Sequence, residues 1–149
     1  MRGQITLEVI IAIGILFIIF IASSLSVAFY SERSMRGMAK VADLRHTIDT
    51  VVSASNNIII VGEKRTLKVY IPSLTNITTN GDTITGSTRV RRQNGEGYET
   101  YSITGDLYGK GWRLYNETAP NSITEPNGSF YEVNISWENY GRVIRWRRV

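Results

Sequence analysis

Cysteine is missing from all 149 residues, which removes disulfide frameworks, thiolate metal sites and cysteine nucleophiles together. Proline is missing before Pro72, and between Ile5 and Asn57 the only glycines are Gly14 and Gly37, so nothing in that stretch forces a helix to stop. Formal charge is missing from Val9 to Ser31. Histidine occurs once, as His46, with Arg45 and Asp49 for neighbours, and it has neither a second type of metal ligand nor a nucleophile to serve. No phosphate-cradling loop is present. The chain is therefore expected to be no enzyme, with no catalytic residues, no cofactor and no metal. Its net charge of +4 permits an anionic partner without requiring one.

The uncharged run sets the first constraint. Its 23 residues, Val9 to Ser31, would reach about 35 Å as a helix, against about 30 Å of bilayer hydrocarbon. A cleaved secretory signal is shorter, although Ala22, Ser24 and Ser26 imitate a small-x-small cleavage site. Against that alternative, the helical pattern outlasts the apolar run. Met38, Val41, Leu44, Ile48 and Val51 recur at steps of three and four, with Arg36, Lys40, Asp43, Thr47 and Thr50 on the other side. The spacing predicts one continuous helix from about Ile5 to about Ser55, apolar all round in its first half and amphipathic in its second.

Beyond Asn56 and Asn57 the composition turns to threonine, tyrosine, valine and glycine in short alternating runs. Leu67, Val69 and Ile71 alternate with polar residues before Pro72. Asn94 and Gly95 form a favoured hairpin turn. Tyr131, Val133, Ile135 and Trp137 alternate with Glu132, Asn134, Ser136 and Glu138, and "ENYGR" leads into a last strand, "VIRWRRV". The expectation is a small antiparallel β domain whose apolar face takes the Met38 to Val51 stripe as its cover.

The residues "RGQITLE" at the start add a specific likeness. Gly3, Gln4 and Glu8 match in type and spacing the class III signal peptide of archaeal type IV pilins, with Thr6 where serine is usual, and the chain resembles that family over about its first thirty residues. The resemblance implies an α+β, pilin-like fold, divided into a leader at 1–3, a long helix at 4–56 with a transmembrane or filament-core segment at 9–31, and a β domain at 57–149. It implies a prepilin peptidase that cuts between Gly3 and Gln4, an assembly platform with its ATPase, membrane insertion of the precursor, and then an extracellular homopolymeric filament suited to surface adhesion. Processing would leave a new ammonium on Gln4 four residues before Glu8. An acid bordering hydrocarbon carries a penalty of at least about 2.5 to 3.5 kcal/mol unless it is neutralised, so Glu8 and the Gln4 amine, within one copy or between neighbours, are the candidate register pair. Ile10, Ile11, Phe17, Ile18, Phe20 and Ile21 are the candidate filament core.

Asn76, Asn116, Asn127 and Asn134 head N-x-S/T sequons, the pattern of an N-glycoprotein. Arg142, Arg145, Arg147 and Arg148, interleaved with Trp146 and extended by Arg89, Arg91 and Arg92, form a candidate anion contact. Such arginines also serve ordinary subunit contacts, so nucleic acid is not the expected partner. Two alternative functions remain: a minor pilin or pseudopilin acting in DNA uptake or fibre initiation, and a monomeric single-span protein whose β domain binds a surface ligand.

Overall fold

With no proline to interrupt it and, after Gly3 in its first turn, only Gly14 and Gly37 along its length, the start of the chain stays helical for 60 residues, α1 (Arg2–Val61). The computed structural model describes residues 2–92, 96–116, 121–138 and 141–149, with side chains from Glu8 onward. The Asn94–Gly95 turn therefore lies outside the described residues, as does the centre of "ENYGR". By its contacts the chain divides into two units, Met1–Arg36 and Gly37–Val149.

The helix runs past the expected stop at Ser55 and Asn56. Asn56 is not a breaker here, because its carboxamide bridges to the β strands: Nδ2 donates to the Asp106 carbonyl at 3.2 Å, and Oδ1 accepts the Tyr108 N–H at 2.7 Å. One more turn then buries Ile58. Gly62 ends the helix at φ 75°, returning its N–H to the Ile58 carbonyl at 2.8 Å, a left-handed cap open to glycine because it has no Cβ to clash.

In the second unit eight strands follow: β1 (Arg65–Ile71), β2 (Thr75–Asn80), β3 (Thr83–Arg91), β4 (Tyr98–Asp106), β5 (Trp112–Asn116), β6 (Ser122–Glu125), β7 (Ser129–Glu138) and β8 (Gly141–Arg148). They make two four-stranded sheets, ordered β1-β7-β8-β5 and β4-β3-β2-β6. The fold is thus α+β. The expectation of purely antiparallel strands needs correcting, because β5 pairs with β8 in parallel. The two sheets are stitched together beside β5: the Trp112 N–H donates to the Gly81 carbonyl at 2.9 Å, and Asn121, at φ 62°, donates to the Leu114 carbonyl while accepting from the Thr79 N–H. Asparagine tolerates that left-handed conformation.

The α1 residues of this unit line the core the sheets share. Leu44, Ile48, Val51, Ala54 and Ile58 are buried with Ile71, Ile77, Ile84, Leu114, Ile123, Val133, Ile135, Ile144 and Trp146. The seat is cut by glycine. A Cβ on Gly86 would come 2.7 Å from Leu44 Cδ1, and one on Gly105 would come 2.5 Å from Val52 Cγ2, so β3 and β4 admit the helix only because both positions lack side chains.

Three expected positions move. Met38 is 71% exposed, because at that turn Gly37 is the inward residue, facing Val90, and Met38 lies about 100° further round the helix. Thr47, expected on the wet side, is buried and donates from its hydroxyl to the Tyr70 carbonyl at 2.6 Å. Trp137 does not share the burial of Tyr131, Val133 and Ile135: it is 57% exposed at the end of β7, where its register partner Arg142 lays a guanidinium 4.9 Å from the ring centroid.

Gly105→Val should lower unfolding stability by about 1–3 kcal/mol through overpacking against Val52 and Ile48, read as a drop in the denaturation midpoint. An unchanged midpoint would contradict the glycine seat.

Candidate functional site

The first unit presents a continuous run of exposed apolar side chains. Ile10, Ile11, Phe17, Ile18, Phe20 and Ile21 are between 47% and 69% exposed, and no part of the most apolar window is covered by the rest of the chain. By length and composition α1 is able to cross a membrane. Two of its serine hydroxyls turn back onto the helix: Ser23 Oγ donates to the Ile19 carbonyl at 2.8 Å and Ser26 Oγ to the Ala22 carbonyl at 3.0 Å. Both polar groups are satisfied within the helix, as hydrocarbon requires.

Glu8 stands exposed immediately before this surface. Gly3 and Gln4 lie in the first turn of α1, with side chains outside the described residues. Helical geometry places Gln4 and Glu8, four residues apart, on one face. Where the apolar run ends, charge returns with the exposed Glu32–Arg36 ion pair, which by i,i+4 spacing is a surface contact of small energy.

In the second unit the four arginines of β8 do not form one patch. Alternation along the strand sends Arg145 and Arg147 to one face and Arg142 and Arg148 to the ends of the other. Arg142 donates to the carbonyls of Tyr108 at 3.0 Å and Lys110 at 3.4 Å and rests against Trp112 and Trp137. Arg145 grips Glu138 through both carboxylate oxygens and covers Tyr115. Arg147 stands opposite Glu132 in register, and Arg148 donates to Ser129 Oγ. Arg89 and Arg91 belong to β3, in the other sheet, and Arg92 follows that strand.

The sequons also separate. Asn76 is exposed on β2 and accepts from the Thr124 hydroxyl at 3.4 Å. Asn127 is exposed between β6 and β7. Asn134 sits mid-strand in β7, half-buried, with Oδ1 shut from water and unpartnered. Asn116 ends β5, and the rest of its sequon lies outside the described residues. His46 is exposed on α1, and the described residues hold no cluster of three or more potential metal ligands.

One polar constellation escaped the sequence reading. Glu125 is fully buried at the end of β6, accepting from the Asn127 N–H at 3.0 Å and the Tyr131 hydroxyl at 2.8 Å, with Arg148 at 3.7 Å. Burial alone pushes its pKa up. The Asn127 N–H, the Tyr131 hydroxyl, the Arg148 charge and the Gly128 N–H together outweigh that and hold it below the ordinary value. The Tyr131 phenol is pushed up to about 12, by burial first and then by its hydrogen bond to Glu125. The signal lay in "TEPNGSFY": an acid just before a Pro-Asn-Gly turn is placed to cap the turn's amides. The arrangement ties the β6–β7 turn to the end of β8.

Comparison with protein-family models, with curated proteins and with solved structures returns no match for this chain.

Because Glu125 has a lowered folded pKa, its contribution to stability is present above the unfolded carboxylate pKa of about 4.3 and lost as pH falls through the folded value. Tyr131→Phe, which removes one hydrogen bond to a buried charge, should cost about 1.5–3 kcal/mol near neutral pH. The stability gap between the native chain and Glu125→Gln should narrow as pH falls below the ordinary carboxylate range. Denaturant titrations across pH 2 to 7 measure both effects.

Proposed function

We propose that the chain is a structural subunit of an archaeal type IV pilus-like filament, inserted in the membrane as a precursor and polymerised outside the cell through its N-terminal helix. The observation that carries this reading is an apolar helical surface left uncovered by its own chain and continuous with an amphipathic segment that a β unit does cover. Lipid covers such a surface in the precursor. In a filament, copies of the same helix cover it, at roughly 1.5 to 3 kcal/mol per large side chain withdrawn from water.

The short pattern Gly3, Gln4, Glu8 supports processing as the switch between the two states. Cutting after Gly3 removes Arg2 and the original amine, the positive groups that hold the leader at the cytoplasmic side, and leaves an ammonium on Gln4. Glu8 and that ammonium can then leave water together, which neither can do alone without penalty. Prepilin peptidase, an assembly platform and its ATPase are the partners this reading requires. Adhesion through the β unit and glycans at the exposed Asn76 and Asn127 are consistent with a surface location.

Protein isolated from native cells should begin at Gln4 by N-terminal sequencing, and Glu8→Ala should abolish fibres while leaving membrane insertion intact. A native chain that begins at Met1, or fibres unaffected by the substitution, would refute the proposal.

A further inference from the structure

Each sheet of the second unit has one protected edge and one open edge. The β5 and β6 edges are drawn together by the Gly81 and Asn121 bonds. Among the described residues no strand pairs with the outer edge of β1 or of β4. The helix reaches these strands through hydrogen bonds near their ends, Thr47 to the Tyr70 carbonyl and Asn56 to the Asp106 carbonyl. Between α1 and the first residues of β1 lies a groove of 390 Å³ lined by Asp49, Ser53, Asn57, Arg65 and Leu67.

Apart from the Tyr70 and Asp106 carbonyls, strands of seven and nine residues offer along their outer edges amides and carbonyls that no strand pairs among the described residues. Neither contains proline, and their charges are opposite. β1 carries Arg65 and Lys68 and no acid, whereas β4 carries Glu99 and Asp106 and no base. All four side chains are exposed. Pairing β1 with β1, or β4 with β4, sets like charges together, and pairing β1 with β4 sets opposite charges together. The two edges belong to one chain, so the complementary partner of each is another copy.

We propose that copies of this chain associate edge to edge, β4 of one adding to β1 of the next. The contact is heterologous: each copy donates one edge and accepts on the other, so the series continues rather than closing as an isologous dimer does. Within a filament it rests on the subunit reading above, and it would tie the β units of neighbouring copies beyond whatever their helices contribute. As pairing between copies it is measurable whether or not fibres form.

The test uses the full chain in detergent micelles, with two differently tagged populations mixed and one tag captured. Wild-type copies should co-capture each other. Arg65→Glu with Lys68→Glu makes both edges acidic, and Glu99→Lys with Asp106→Lys makes both basic. Each double variant alone should lose about tenfold or more in co-capture, a loss of about 1.4 kcal/mol. Mixing the two double variants should restore it, because the acidic edges of one then meet the basic edges of the other, and restoration also shows that both variants are folded. Wild-type copies that do not co-capture, reversals without effect, or a mixture no better than either variant alone would each overturn edge pairing. Fibres and the Gln4 terminus are scored separately on cells producing the same variants, so fibres without edge pairing reject only this contact, and an unprocessed membrane protein that still pairs rejects only the filament.

Discussion

Apolar side chains on every side of a helix have to be covered by something other than water, and the rest of this molecule depends on how that is met. From Val9 to Tyr30 the large side chains of α1 stay exposed within their own chain. Ser23 and Ser26 have turned their hydroxyls onto the helix backbone, so what the surface asks of its surroundings is chiefly that they be apolar. A bilayer meets that demand, and so does a bundle of identical helices. The difference between the two lies at the border, where a single acid needs a cation in one setting and water in the other.

The second unit meets the same demand internally. Its α1 residues are covered by two sheets, on a seat opened by Gly86 and Gly105 and fixed by Thr47 and Asn56, which satisfy backbone groups near the ends of β1 and β4. Glu125 fastens the end of β8 to the β6–β7 turn at the far side of the chain sequence. Where the sheets are stitched, by Gly81 and Asn121, the strand edges are used up. Where the helix lies, no further strand pairs with them among the described residues, and a basic strand stands at one edge and an acidic strand at the other.

The helix, the uncharged run and the change to strands were legible because each is written in a local period, 3.6 or 2, that survives whatever packs against it. What was not legible depended on residues far apart in sequence. Asn56 looks like a helix breaker until Asp106 and Tyr108 are beside it, and Thr47 looks wet until the Tyr70 carbonyl needs a donor. Gly37 displaces Met38 from the inward face because Val90 comes close enough to require it. The parallel pairing of Trp112 with Arg142 leaves no trace in the alternation of either strand. Of the candidate site, the arginines of β8 read as one cluster in the sequence and as separate contacts in three dimensions, whereas the Glu125 constellation is local in "TEPNGSFY" except for Arg148, whose approach from β8 the sequence does not show.

The central claim is that residues 9–31 are covered by copies of themselves outside the cell. Electron cryomicroscopy of lipid-free fibres sheared from the cell surface tests it most directly. The account predicts a density map whose axis is a bundle of α1 helices, with Phe17 and Phe20 packed between neighbouring copies. Fibres built from another protein, with this chain confined to the lipid fraction, would contradict it.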